Sequence, residues 1–129
     1  MITDFRLTKR ERDILDILWA SEDGMIASDF PKIMEGLTIN TVQAVLKKLL
    51  KRELIVVKEI VYSGTVLSRK YAPAISEQDF TVASITKSIQ DLKRFNITPA
   101  AFFAEILPEM EMSAEDLDML QEFLEKRKS

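Results

Sequence analysis

Cysteine and histidine are both absent from the 129 residues of this sequence. Their absence excludes disulfides and removes the thiolate and imidazole ligands that zinc and copper prefer. It also removes the base of a Ser-His or Cys-His catalytic pair. No metal site and no cofactor are therefore predicted. A hydrolase built on two carboxylates stays open in principle, but no glycine-rich phosphate loop and no Gly-x-Ser-x-Gly motif occurs. We expect a protein that is not an enzyme.

Glycine and proline are scarce, with three and four residues respectively. An all-β fold needs such residues at the end of almost every strand, so the composition predicts a mainly α fold. No apolar run approaches the length of a membrane-spanning helix, and residues 1–12 lack the apolar core of a signal peptide. We therefore expect a soluble, cytoplasmic protein without membrane insertion.

Charge is distributed unevenly along the chain, although the net charge is only −3. Residues 1–75 contain twelve basic and ten acidic side chains, whereas residues 76–129 contain six and eleven. The stretch from Asn40 to Lys70 contains seven basic and two acidic residues. This asymmetry indicates a basic, nucleic-acid-binding surface beside an acidic remainder. A lysine-rich helix face that contacts only solvent is the alternative.

Two helices are predicted before residue 36. The first begins at the capping-box pattern Thr8-x-x-Glu11 and ends before Gly24. The second, shorter helix runs from Ser28, its predicted N-cap, to Glu35. Their apolar residues recur at helical spacing, and we expect these side chains to face inward: Ile14, Leu15, Leu18, Trp19, Phe30, Ile33 and Met34.

A third helix, from Thr38 to Arg52, has the most informative surface. Thr38 is its predicted N-cap, and Leu37 and Val42 form a hydrophobic-staple pair around it. Its apolar residues recur every three to four positions along one side, and the opposite side is polar and cationic. The predicted DNA-contacting residues on that opposite side are Asn40, Thr41, Gln43, Ala44, Lys47, Lys48 and Lys51. Amide side chains can read adenine and methyl groups can contact thymine, while Lys48, Lys51 and Arg52 suit phosphates.

A β-hairpin is predicted after the third helix. Residues 54–62 and Val66–Ala72 are rich in β-branched and aromatic side chains, and Ser63-Gly64-Thr65 supplies the turn between them. Arg69 and Lys70 place positive charge on this hairpin, where we expect additional backbone contacts with DNA. Helix, short helix, helix and hairpin is the order of a winged helix-turn-helix, in which the third helix enters the major groove.

The rest of the chain, residues 76–129, is predicted to form helices that begin at Ser76, Thr98 and Ser113. We divide the chain into a winged-helix DNA-binding domain, residues 1–75, and a helical dimerisation region, residues 76–129. Its short helices offer more apolar surface than they can bury alone, which favours a homodimer; completion of a monomer core is the alternative. The predicted dimer contacts are Phe80, Ile85, Ile89, Leu92, Phe102, Phe103, Leu107, Leu117, Leu120 and Phe123.

Several motifs extend over nearly the whole chain. They are Leu7-Thr8-x-x-Glu11-x-x-Ile14-Leu15-x-x-Leu18-Trp19, Thr41-Val42-x-x-x-Leu46-x-x-Leu49-x-Lys51-Arg52-x-Leu54-Ile55, Tyr71-Ala72-Pro73-x-Ile75-Ser76 and Ser113-Ala114-Glu115-Asp116-Leu117-x-x-Leu120-x-x-Phe123-Leu124. Together they resemble the penicillinase-repressor family of winged-helix regulators, to which copper-responsive repressors are related. The resemblance implies a repressor homodimer on a palindromic DNA operator, with Thr41, Gln43, Ala44, Lys47 and Lys48 at reading or phosphate-contact positions.

Two departures from this family concern the release of DNA. The copper-responsive relatives use C-terminal cysteines, so the absence of cysteine excludes a thiolate copper switch here. The antibiotic-responsive members are cleaved at an Asn-Phe bond, which implies a sensor protease as a partner. Here Phe102 follows Ala101, and Asn96 precedes Ile97.

A different class of function also stays open, namely a winged-helix protein-interaction adaptor that presents its basic face to an acidic partner.

Overall fold

The computed structural model describes residues 2–129, which fold mainly into helices with one small sheet. The helices are α1 (Lys9–Ala20), α2 (Phe30–Ile33), α3 (Ile39–Lys51), α4 (Glu77–Asp91), α5 (Pro99–Ile106) and α6 (Ala114–Lys128), and the strands are β1 (Met25–Ile26), β2 (Ile55–Ser63) and β3 (Val66–Pro73). Short 3₁₀ segments lie at Ala27–Asp29, Leu92–Phe95 and Leu107–Glu109. Two compact units result, of which the first ends at Ile85 and the second is Thr86–Ser129.

The first unit is a winged helix-turn-helix, as predicted. The capping box between Thr8 and Glu11 begins α1, and the Thr38 hydroxyl accepts a hydrogen bond from the Thr41 amide at the start of α3. The apolar faces of these two helices meet in one core, which also contains α2 and the start of the sheet. Its fully buried side chains include Ile14, Leu15, Leu18, Phe30, Val42, Leu46, Leu49, Leu54 and Ile55.

The sheet has three antiparallel strands in the order β1-β3-β2. The hairpin of β2 and β3 was predicted, and its register pairs Ile60 with Arg69 and Tyr62 with Leu67. The strand β1 was not predicted, because two residues are too short to show an alternating pattern. It pairs Met25 with Tyr71 and thereby joins the loop after α1 to the hairpin. We call the β2–β3 hairpin the wing.

The second helix differs from the prediction at both ends. The predicted N-cap Ser28 lies inside a 3₁₀ turn, and neither this turn nor α2 has a side-chain cap. Only one α-helical turn follows, and it ends at Ile33 rather than Glu35. The prediction that Ile33 faces inward is wrong, because this side chain is 60% exposed. A helix of one turn buries little more than one residue, here Phe30. The spacing of its other apolar residues therefore does not predict whether they are buried or exposed.

Phe80 was predicted as a dimer contact and is instead a core residue of the first unit. Its side chain is only 3% exposed, and its ring centroid lies 5.5 Å from that of Phe5 and 5.6 Å from that of Trp19. The Trp19 indole also donates a hydrogen bond of 2.9 Å to the Ile75 carbonyl. Residues beyond the predicted boundary at residue 75 therefore belong to the winged-helix unit.

The second unit, Thr86–Ser129, forms short helices with well-defined starts. Thr98 caps α5 and precedes Pro99, and α6 begins after Ser113, as predicted; its start is a capping box between Ser113 and Asp116. None of the residues 86–129 is buried. Its exposed apolar side chains include Phe95, Phe103, Leu107, Met110, Leu117, Met119, Leu120, Phe123 and Leu124. Within residues 2–129, no helix is both long and apolar enough to cross a membrane.

Gly24 provides a test of how tightly the loop after α1 packs against β3. It has φ +85°, and a Cβ atom added there would lie 2.5 Å from the Tyr71 carbonyl oxygen. Gly64, in the turn of the wing, has φ +66° with no neighbouring atom within 4 Å of the added Cβ. We expect Gly64→Ala to lower the free energy of unfolding by about 1 kcal/mol through backbone strain alone. Gly24→Ala adds a backbone clash and should cost about 2–4 kcal/mol. Urea unfolding measures both, and equal losses would contradict this packing.

Candidate nucleic-acid interface

The start of α3 is held firmly in place. Leu37 and Val42 are both buried on either side of the N-cap residue Thr38, as expected for a hydrophobic staple. The Thr38 hydroxyl also donates a hydrogen bond of 3.0 Å to the Thr41 hydroxyl. Thr41 is therefore partly buried and already hydrogen-bonded, which makes it less free to contact a base than its neighbours.

The opposite side of α3 forms a polar, cationic surface that we call the α3 face. It consists of Asn40, Gln43, Ala44, Lys47, Lys48 and Lys51, all of which are exposed. Val42, Val45, Leu46 and Leu49 occupy the buried side of the same helix. Within residues 2–129, the three lysines of the α3 face lie beyond ion-pair distance of any carboxylate. The structure thus brings six of the seven predicted α3 contacts onto one open surface, with Thr41 at its edge.

One exposed residue beside this face was not among the predicted contacts. Ile39 is the first residue of α3 and is 40% exposed, next to Asn40. A large apolar side chain at the exposed N-terminal turn of such a helix can contact a thymine methyl group. The exposure of Ile39 was predictable from the sequence, because a residue directly after the N-cap lies outside the buried stripe that begins at Val42.

Arg52 does not extend toward solvent as a phosphate contact would. Its guanidinium donates a hydrogen bond of 2.8 Å to the Glu11 carboxylate and further hydrogen bonds to the Asp4 and Arg6 carbonyls, at 3.0 and 2.7 Å. Arg52 therefore joins the end of α3 to the start of α1 and to the segment before it. The prediction that it contacts phosphates is not supported by this geometry.

Glu11 is the one charged residue buried in the described part of the chain, at 5% exposure. Burial alone would raise the pKa of its carboxyl. Hydrogen bonds from the Thr8 backbone and from Arg52 outweigh this effect, so the pKa is lowered below its ordinary value. The carboxylate is therefore ionised at neutral pH and depends on Arg52 for its compensating charge.

The wing presents less positive charge than its sequence suggests. The Lys70 ammonium lies 2.7 Å from the Asp23 carboxylate and 3.3 Å from that of Glu59, and its side chain is only 17% exposed. Lys58 lies 2.8 Å from the other oxygen of Asp23. The predicted DNA contact Lys70 is thus already paired. Arg69 is exposed, and it is the one basic residue of β2 and β3 for which the described residues provide no ion pair.

Arg69 lies among apolar side chains on its side of the wing. The register places Ile60 opposite Arg69, and Tyr62 and Leu67 lie opposite each other two residues nearer the turn, on the same side of the sheet. All three apolar side chains are strongly exposed. The tip of the wing is therefore an apolar and aromatic surface with a single cation, rather than a basic one.

Comparison with known proteins identifies this arrangement. The family model described as Penicillinase repressor matches residues 7–126 of the chain. The match includes the α3 face, the wing and most of the second unit. No curated protein matches the chain.

The Arg52–Glu11 pair predicts an unusually large effect for a residue at the edge of the α3 face. Arg52→Ala leaves a buried carboxylate without its partner and should lower the free energy of unfolding by about 3 kcal/mol. Lys51→Ala removes the same charge from the neighbouring position, where no pair exists, and should change stability by less than about 0.5 kcal/mol. Urea unfolding of both variants at neutral pH makes the comparison. Similar stabilities would show that Arg52 is not a structural residue.

Proposed function

The chain belongs to the penicillinase repressor family, and on this premise we propose that it represses transcription as a homodimer bound to a palindromic DNA operator. The family is one of DNA-binding transcriptional repressors. The observation that carries the proposal is the α3 face, where three unpaired lysines lie beside two amide side chains on a helix that can enter a major groove. A repressor acts where the DNA is, so a cytoplasmic location is part of the proposal.

The proposed contacts divide into those that read bases and those that position the protein. Asn40 and Gln43 can form paired hydrogen bonds with adenine, and Lys47 can reach guanine or a phosphate. The methyl groups of Ala44 and Ile39 suit thymine. Phosphate contacts give affinity without sequence information, and for these the proposal uses Lys48 and Lys51, with Arg69 on the wing. Thr41 stays a proposed contact at the edge of this surface.

The proposed homodimer rests on the second unit. No side chain of residues 86–129 is buried, although α5 and α6 carry several large apolar residues. A symmetric interface would cover this surface and pair two recognition helices with two half-sites, about 34 Å apart along the DNA. The proposed contacts are Ile85, Ile89, Leu92, Phe102, Phe103, Leu107, Leu117, Leu120 and Phe123.

A sensor protease is not included in this proposal. No phenylalanine of the chain follows an asparagine, so the family's Asn-Phe bond is missing. Any signal that releases the operator would therefore act by a route other than cleavage of an Asn-Phe bond.

A protein-interaction adaptor is the second candidate function, and one observation favours it. The tip of the wing exposes Ile60, Tyr62 and Leu67, which is unusual for a surface that contacts only DNA phosphates. A gel-shift titration against random duplex DNA at low salt separates the two functions. A shift at micromolar protein that weakens steeply with salt supports the repressor, and no shift supports the adaptor.

The reading role of the α3 face is tested by Lys47→Ala and Gln43→Ala. The probe is a duplex that the wild-type protein selects from a randomised library. Each variant should bind it about 1–3 kcal/mol more weakly and keep the wild-type unfolding curve, because neither side chain contacts the core. Lys128→Ala removes a charge at the end of α6 and serves as the control. If both variants bind as tightly as the control, the reading surface lies elsewhere.

The dimer interface is tested by placing a lysine on either side of α6. Leu120 belongs to the proposed interface, whereas Asp118 is exposed on the opposite side of the helix, about 160° away. Leu120→Lys should convert a dimer of twice the 14.8 kDa chain mass into a monomer, and Asp118→Lys should not. Size-exclusion chromatography with light scattering at micromolar concentration gives both masses. A wild-type protein of monomer mass would rule out the homodimer.

A further inference from the structure

Asp23 brings two lysines of the wing together at one carboxylate. It lies in the loop between α1 and β1, and its two oxygens are 2.8 Å from Lys58 of β2 and 2.7 Å from Lys70 of β3. The Lys58 ammonium also donates a hydrogen bond of 3.3 Å to the Asp23 carbonyl. Glu59 contacts Lys70 from the other side, at 3.3 Å. We call these four residues the wing-base cluster.

The wing-base cluster is electrically neutral, since it contains two ammonium groups and two carboxylates. Hydrogen bonds from Lys58 and Lys70 lower the pKa of Asp23 to about 2, and the hydrogen bond to Asp23 raises the pKa of Lys70. The ion pair between Asp23 and Lys70 therefore persists at neutral pH. The α3 face, in contrast, presents three lysines without any compensating carboxylate.

We infer that Asp23 is a positioning residue that limits the affinity of this protein for DNA of any sequence, by withholding Lys58 and Lys70 from the phosphates. The inference rests on the proposed function. Each phosphate that a lysine neutralises releases counterions and strengthens binding to every sequence alike. A repressor with two additional free lysines on its wing would be retained more strongly by the many non-operator sites of a genome.

Competition from a phosphate does not undo this effect. An exposed ion pair is worth only about 0–1 kcal/mol, so DNA can draw one ammonium group away from Asp23. The carboxylate then remains near the phosphate and repels it, because hydrogen bonds between Ser21 and Gly24 hold the backbone on both sides of Asp23. The gain from each lysine contact is thereby reduced whether or not the ion pair itself survives.

The first test compares Asp23→Asn with Glu22→Gln, which make the same change in net charge at neighbouring positions. Glu22 is exposed and has no ion pair within residues 2–129, so its substitution frees no lysine. The logarithm of the binding constant for a random 30-base-pair duplex is measured against the logarithm of the KCl concentration. We expect Asp23→Asn to make the slope steeper by about one, because Lys58 loses its partner while Lys70 keeps its ion pair with Glu59, and Glu22→Gln to leave it unchanged. Equal slopes in both variants would overturn the inference.

A second pair of variants tests the inference without altering Asp23, because Asp23→Asn could also change the conformation of its loop. Lys58→Gln should leave the salt slope almost unchanged, because that lysine is already withheld, while Lys48→Gln should make it shallower by about one. Asp23→Glu keeps the carboxylate and should preserve the wild-type slope. A Lys58→Gln slope as shallow as that of Lys48→Gln would refute the inference independently of Asp23.

Heparin affinity chromatography separates this inference from the proposed function, because it measures binding to a polyanion without DNA. If Asp23→Asn elutes at higher salt than Glu22→Gln while the wild-type protein binds no DNA, the result supports the withholding of lysines by Asp23 and contradicts the repressor function. If the wild-type protein binds DNA but the two variants elute together and show equal slopes, the inferred role of Asp23 is contradicted and the repressor function is not.

Discussion

The burial of one side of α3 against α1 is the constraint on which the rest of the winged-helix unit depends. Val42, Leu46 and Leu49 are fully or almost fully buried in the core that α1 completes. Because successive residues of a helix are 100° apart, this burial fixes which side chains stay outside. Arg52 then secures the far end of α3 to the buried Glu11, so that the helix is held at both ends. The α3 face is thus a consequence of core packing rather than an independent feature.

The basic residues between Asn40 and Lys70 differ in role, although they look equivalent in the sequence, and Arg69 is the unpaired one on the wing. The lysines of the α3 face are unpaired, Arg52 is a structural tie to Glu11 and two carbonyls, and Lys58 and Lys70 are neutralised at the base of the wing. A count of charges between Asn40 and Lys70 therefore overstates the positive surface. The free charge is concentrated on α3, the element that enters the groove in the proposed complex, where phosphate and base contacts are made together.

The features predicted correctly are those that depend on neighbouring residues. The capping box at Thr8, the helix start at Ser113, the staple around Thr38 and the hairpin turn all involve residues within a few positions of each other. The features that were missed depend on partners far apart in the chain. Arg52 and Glu11 are separated by 41 positions and Lys70 and Asp23 by 47. Spacing along one helix predicts its exposed side, but it does not reveal which exposed-looking cation or aromatic ring meets a distant partner.

The second unit adds a thermodynamic condition to the proposed dimer. Ordering these helices costs conformational entropy, and the side chains of residues 86–129 are at most partly buried, so that burial within the chain offsets this cost only in part. In the proposed homodimer, the apolar surface of α5 and α6 supplies the missing stabilisation on association. Folding of this unit and dimerisation would then be one coupled equilibrium, so operator occupancy would depend more steeply on protein concentration than binding by a preformed dimer.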